Sequence, residues 1–389
     1  MALLSFWWHM GFLSFASTMF GTNTVVSAYL NKVYHSPILI GIVTSILMGL
    51  PAITQLLFAN FLRSKKFKKP YLIFGIITRA STLFMLSVVA FFIVSNSVWG
   101  IIAIVGLFVI FATTGSFAGI AYMDLLGKTI PNEKRYYFFP VRQVFAGLAS
   151  LLAGILVKYT LDAFDFPHNY SMLFLFAAIS LAMATGFFWF LKEPPSEIEP
   201  RISTIKTIKS IPSLLKDRKL FWYEIVQILS GINLMVLPFY TVYTMNKFGN
   251  IVGNLVIFQV LGMIFSNLLW AILAKHFGNV IIAKIAALLA ASVAISISFL
   301  PSLAWYYVLF VVIGFVLGAR GVFMDAYLIE IAPEKKRVMY VGIRGTIGFV
   351  GSLFSLFGGF FVGAFGFFPI FIFAFFGLFL AFSLTFKLG

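Results

Sequence analysis

Long stretches without a charged side chain recur along the whole chain, and they restrict the fold more than any other feature. A helix needs about 20 mainly apolar residues to cross a bilayer. Apolar runs between polar breaks give twelve such segments, near 3–30, 37–61, 70–93, 98–127, 141–161, 169–191, 220–245, 251–274, 279–300, 303–330, 339–364 and 366–386. The last division rests on a short uncharged turn, Gly363-Ala364-Phe365-Gly366. Of the 389 residues, 61% are hydrophobic and 10% charged, so little polar surface is left to meet water. The expected class is an all-α membrane protein with twelve transmembrane helices. The first run exceeds the length of a signal-peptide core and has no basic segment before it, so it reads as a retained span.

The net charge of +16 is the kind of value that marks nucleic-acid binding in a soluble protein. Its distribution points elsewhere. Arg63, Lys65, Lys66, Lys68 and Lys69 lie between spans two and three, and Lys128, Lys134, Arg135 and Arg142 between four and five. Lys192, Arg201, Lys206, Lys209, Lys216, Arg218 and Lys219 lie between six and seven. Lys275 and Lys284 flank the next turn on that side, and Lys335, Lys336, Arg337 and Arg344 follow span ten. The opposite side holds Lys32, Lys158 and Lys247, with the acids Asp162 and Asp165. Cytoplasmic loops collect lysine and arginine, so this alternation predicts an integral protein of the cell's inner (plasma) membrane with both termini cytoplasmic. It accounts for the basic total without nucleic acid.

The longest polar segment, Glu193 to Lys219, divides the chain near its middle. It carries Pro194, Pro195 and Pro200, then Ile205, Ile208, Ile211 and Leu215 at helical spacing with Lys206 and Lys209 beside them. This reads either as a linker with a short amphipathic helix on the inner membrane surface or as a solvated loop. The flanking regions resemble each other. Phe6-Trp7-Trp8-His9 corresponds to Phe221-Trp222-Tyr223-Glu224, and Asn31-Lys32 to Asn246-Lys247 at the same offset. Gln55, Ala59 and Arg63 correspond to Asn267, Ala271 and Lys275. Pro131, Arg135 and Arg142 correspond to Pro333, Arg337 and Arg344, each set preceded by an acid, Asp124 or Asp325. The expected organisation is two six-helix bundles in one orientation, 1–192 and 220–389, joined by the linker 193–219.

Two parallel six-span halves resemble the major facilitator superfamily, and the resemblance runs the length of the chain. Ala59-Asn60-Phe61-Leu62-Arg63-Ser64-Lys65-Lys66 is similar to that family's loop G-x-x-x-D-R/K-x-G-R/K-R/K. Ala271-Ile272-Leu273-Ala274-Lys275-His276-Phe277-Gly278 is closer to it. Both copies put a base, Arg63 or Lys275, where the family has its Asp. Leu191-Lys192-Glu193-Pro194-Pro195 at the end of span six is also common in the family. The resemblance implies a secondary transporter with a rocker-switch cycle and a binding site near the bilayer midplane.

An ionisable residue inside a span costs about 2.5–3.5 kcal/mol on insertion scales and is a functional candidate for that reason. Arg320 in span ten, between Gly318 and Gly321, offers a planar fork for a carboxylate or phosphate, and the resemblance puts that span on the cavity. The resemblance puts span three at the periphery, so Arg79 reads as snorkelling or as paired with Asp124. Asn23, Phe20 and Met19 on span one, with Asn233, Tyr240 and Gln259, supply further substrate-binding candidates for a largely apolar cavity. Asp124 with Arg142, and Asp325 with Arg344, sit at inner span ends as gate pairs or static clamps. Asp124, Asp325, Glu224 and His9 are the groups able to carry protons, and His9 and Glu224 are repeat equivalents. The glycines Gly342, Gly345, Gly348 and Gly351 form a stripe read as helix packing.

The chain has no cysteine and its four histidines lack ligand spacing, so no thiolate or histidine metal centre is expected. There is no G-x-x-x-x-G-K-S/T loop and no cluster of catalytic groups, which argues against nucleotide-driven pumping and against an enzyme. No cofactor is called for. The expected partners are a small-molecule substrate, the lipid bilayer and, if coupled, protons, for a monomeric protein. The substrate is left between an organic anion and an amphipathic compound. A membrane sensor or a lipid flippase on the same fold is the alternative.

Overall fold

The computed structural model describes residues 1–92, 97–196, 198, 214–333 and 337–388. The side chains at 56, 132, 135, 136, 320–325, 329, 337–339, 341–343 and 345–347 lie outside that description. Among the described residues every regular element is helical. The first half contains α1 (Ala2–Met19), α2 (Ser27–Tyr34), α3 (Pro37–Arg63), α4 (Lys69–Phe92), α5 (Val98–Thr129), α6 (Arg135–Ala163) and α7 (His168–Met183). The second half contains α8 (Arg218–Ser230), α9 (Ile232–Phe248), α10 (Val252–Phe277), α11 (Asn279–Ser296), α12 (Leu303–Ile331), α13 (Arg337–Phe365) and α14 (Phe367–Thr385). Among the described residues, ten helical segments are long and apolar enough to cross a bilayer, and Leu303–Ala319 is a shorter apolar one.

Two expected spans are broken. The first run is interrupted after α1 by a π-helical turn, Thr22–Val26, that leads into α2. Gly21 permits it, since a Cβ there would lie 2.2 Å from Thr24 Oγ1. Span seven divides at Gly231 into α8 and α9. A Cβ on Gly231 would lie 2.7 Å from the Gly351 Cα, so α13 approaches closely at this break. The division at Gly366 falls where the sequence puts it, with a left-handed φ of 80° between α13 and α14.

The chain forms two compact units, Met1–Tyr29 with Ile46–Thr204, and Leu30–Ser45 with Ile205–Gly389. In the first, α1 packs on α6 and α7, and α4 packs on α5 and α7. In the second, α10 packs on α12, α11 on α12 and α14, and α9 on α13. Small residues set these contacts, because helices in lipid associate through close backbone approach. A Cβ on Gly262 would lie 2.1 Å from the Val311 carbonyl oxygen, and one on Gly75 2.9 Å from the Ala118 Cβ. Gly348 and Gly351 of the glycine stripe face Gln227 and Gly231, which is the packing role expected of them.

Residues 30–45 group with the second unit for visible reasons. Asn31 Nδ2 donates to Asn246 Oδ1 at 3.1 Å, joining two repeat equivalents. Ser45 Oγ donates to the Ser352 carbonyl at 3.0 Å, and Gly41 packs on the backbone of Ser355 and Gly359. The segment 199–213, where an amphipathic helix is expected, lies outside the described residues.

Candidate functional site

Arg79 of α4 lines two chambers inside the first unit. The larger, about 320 Å³, is bordered by His9 and Met10 of α1, Leu72 and Ile76 of α4, Gly119 and Tyr122 of α5, and Arg142 of α6. The smaller, about 160 Å³, is mainly aliphatic and aromatic, with Leu13, Ala16, Phe20, Leu47, Phe111 and Leu181 on its wall. Phe20 thus lines a chamber. Met19 is fully buried in packing, and Asn23 sits half-buried in the π-helical turn.

The Arg79 guanidinium carbon stands 4.3 Å from the centre of the Phe111 ring, a cation–π contact. Gly115 makes room for it, since a Cβ there would lie 3.3 Å from the Arg79 Nε. That Nε is buried and makes no hydrogen bond among the described residues. Arg142 Nη1 donates to the Tyr122 hydroxyl at 3.2 Å, while its own buried Nε is likewise unbonded. His9 is 4% exposed, and its Nδ1 lies 3.2 Å from the Ala184 carbonyl oxygen. A carbonyl only accepts, so this bond places the ring proton on Nδ1. Tyr122 and Phe188 hold the imidazole between rings, each with its centre 5.2 Å away. No acidic side chain occurs among the described lining residues of either chamber.

Two expected arrangements are not seen in this structure. Arg79 neither snorkels nor pairs with Asp124; it faces the interior of its bundle. Nor does Asp124 bond Arg142. The Asp124 carboxylate accepts from Lys68 Nζ at 2.6 Å and forms an ion pair with Lys128 Nζ. Lys68 lies at the entrance to α4 and Lys128 one turn beyond Asp124 on α5, so both flexible ammonium groups reach it at the inner edge. The rigid Arg142 fork is directed to Tyr122 instead. Glu193 completes the cluster, accepting from the backbone N–H of Lys68 at 2.7 Å and of Lys69 at 2.8 Å, and from Lys128 Nζ at 3.4 Å. It thereby occupies the N-terminus of α4, where orphan N–H groups and the helix dipole favour a carboxylate. Sequence reasoning quotes Glu193 only as part of a motif. Its signal was its place after span six, opposite the basic loop.

The second unit repeats part of the pattern. Glu224, the equivalent of His9, is 2% exposed, and neither carboxylate oxygen has a hydrogen-bond partner among the described residues. Arg344, the equivalent of Arg142, is its electrostatic neighbour. Gln227 Nε2 donates to the Arg344 carbonyl at 3.1 Å. Asn233 lines a small cavity of about 50 Å³ walled by alanines of α11, among them Ala283, Ala287 and Ala290. Tyr240 is fully buried against Phe371, and Gln259 is buried in α10. The side chains of Arg320 and Asp325 lie outside the described residues, and with them the expected Arg320 anchor and the Asp325–Arg344 pair. Among the described residues no group of histidines and acids could hold a metal ion.

Apolar helices in two compact units, with ionisable walls on internal chambers, are the build of a membrane solute carrier. The model of the Major Facilitator Superfamily matches residues 8–250 and 225–388, and the chain belongs to that family. The family is one of secondary membrane transporters, and this chain is an integral membrane protein of that kind. Its fold is similar to solved transporters at low identity. A variant of the nucleoside transporter NupG matches at TM-score 0.76 and 16% identity, covering 100% of both chains. A POT family transporter in complex with 5-aminolevulinic acid matches at TM-score 0.73 and 12% identity, covering 99% of this chain and 94% of that one. The inward-open xylose transporter XylE from E. coli matches at TM-score 0.73 and 15% identity, covering 98% and 95%. Among curated proteins none matches the sequence.

Proposed function

We propose that the chain moves a small organic solute across the plasma membrane by a rocker-switch, alternating-access cycle coupled to protons, as a monomer with both termini cytoplasmic. The observation that carries the coupling is Glu224, a buried carboxylate whose oxygens make no hydrogen bond among the described residues and which has Arg344 as a charged neighbour. A carboxylate in that setting exchanges its proton when a change of access state alters its contact with water and with the arginine. His9, its repeat equivalent, is held in one tautomer by Ala184 and serves the first unit as a neutral polar group on the chamber wall. In this reading Asp124 belongs to the inner clamp with Lys68 and Lys128, leaving Glu224 as the proton carrier.

The test is solute movement in proteoliposomes under an imposed pH gradient, read as a change in internal pH when a solute panel is added. The wild type is expected to show solute-dependent proton flux. Glu224→Gln is expected to retain solute exchange at equal pH on both sides but to lose gradient-driven accumulation. Solute exchange that ignores the gradient in the wild type would remove the coupling. The absence of exchange for every solute would remove transport itself.

A further inference from the structure

A cation inside a bilayer-spanning bundle is held by a partner, and the partner of Arg79 within the protein is one face of the Phe111 ring. A guanidinium carries five N–H donors and a ring face takes none of them as a conventional hydrogen bond. Arg142 commits one donor to Tyr122. Both arginines border one chamber, both have a buried Nε without a hydrogen bond, and the described residues around them include no acid. The carboxylate nearest to Arg79 along the chain, Asp124, is already taken by two lysines. Fixed donors on two sides of an acid-free chamber make a place for an anion supplied from outside the protein.

The smaller chamber decides what kind of anion. It meets the larger one at Arg79 and Leu13, and its wall is mostly Leu, Ala and Phe side chains, with Ser17 and Thr22 as its small polar groups. An ion hydrated on all sides gains nothing there. A molecule with an acidic head and an apolar body fills both. We propose that Arg79 and Arg142 bind the carboxylate or phosphate head of an amphipathic organic anion, with Tyr122 beside the head and the apolar body in the chamber lined by Phe20. This rests on the transporter reading and names the substrate class of the first unit's chambers. The same chemistry can be offered by a dissolved solute or by an anionic lipid.

Binding is measured at equilibrium, by melting shift in nanodiscs, so the outcome is independent of whether transport or proton coupling is observed. The probes are octanoate, octyl phosphate and the uncharged octanol in discs of phosphatidylcholine alone, and phosphatidylglycerol doped into otherwise identical discs. Octanoate or octyl phosphate is expected to raise the melting temperature where octanol does not. Arg79→Gln is expected to weaken that binding about ten-fold or more, the loss of one charge-assisted contact. Gly119→Leu is expected to do the same with both arginines intact, because a Cβ at Gly119 meets nothing within 4 Å and a longer side chain enters the chamber. This second variant decides the matter if Arg79→Gln does not fold. Stabilisation by phosphatidylglycerol alone, lost in either variant, supports the site with the bilayer as its source. Equal stabilisation by octanol, no stabilisation by any anion, or unchanged anion binding in both variants overturns the proposal.

Discussion

Asp124 serves as a shared acceptor for two ammonium groups, and its neighbours decide what its removal costs. The Lys68 and Asp124 side chains are 10% and 27% exposed, so the pair lies between a surface ion pair and a fully buried one. Losing one partner of such a pair costs about 1–3 kcal/mol. Asp124→Asn is expected to lower thermal stability by that order, and the loss to be coupled to Lys68. In a double-mutant cycle with Lys68→Met the coupling should exceed about 0.5 kcal/mol, whereas the cycle with Arg142→Gln should stay within that margin of zero. A strong coupling to Arg142 would restore the pairing expected from sequence. The reason sequence misplaced these groups is physical. Lys128, Lys134, Arg135 and Arg142 all follow Asp124 along the chain, spacing alone does not rank them, and Lys68 comes from the entrance to another span. Arg79 was legible as an ionisable group within a span, but the small polar residues of α4, Thr78, Ser81, Thr82 and Ser87, are scattered around it and do not mark which face meets lipid. Tyr122 had no signal at all, since a tyrosine near the end of a span is ordinary.

At the level of elements, apolar runs predicted the helices well, and the missed features are the breaks. The Thr22–Val26 turn and the Gly231 division interrupt runs that are continuously apolar, and they depend on close contacts made by a single glycine each. The start of α8 is a further case. Asp217 accepts from the backbone N–H of Lys219 at 2.9 Å and of Leu220 at 3.3 Å, and the Tyr340 hydroxyl of α13 donates to its other oxygen at 2.7 Å. The Tyr340 bond holds this carboxyl below the usual carboxylate range; partial burial opposes it, and the two amides and Lys219 assist. A carboxyl lowered in the folded state stabilises above its unfolded value of about 3.9, and that stabilisation is lost as pH falls through the folded one. Melting temperature is therefore expected to fall on acidification below about pH 4, with Asp217→Asn showing a smaller fall than the wild type. At neutral pH, Asp217→Ala should cost about 1 kcal/mol through loss of the cap. An unchanged acid profile in Asp217→Asn would assign the sensitivity to another group.

On the scale of the molecule, sidedness follows from where the cations can reside. Between spans two and three, Lys66 is exposed, and at the threshold of α8 so is Lys216. On the other side the cations are few and occupied: Lys158 pairs with Asp162, and Lys247 donates to the Tyr306 hydroxyl at 3.1 Å. Translocating a loop with several lysines is disfavoured, whereas one neutralised lysine per loop is tolerated. Because the chain has no cysteine, one introduced thiol reports one position. Single substitutions Lys66→Cys and Lys216→Cys are expected to resist a membrane-impermeant maleimide applied to the outside of intact cells and to react once the membrane is opened. Asp162→Cys and Lys247→Cys should react in both conditions. Lys66 precedes span three and Lys216 lies at the end of the linker, so their agreement is what an even number of spans before the linker requires. Labelling of one of them from outside, with the other protected, would mean that the halves are inverted rather than parallel, and the correspondence of His9 with Glu224 and of Arg142 with Arg344 would lose its structural meaning.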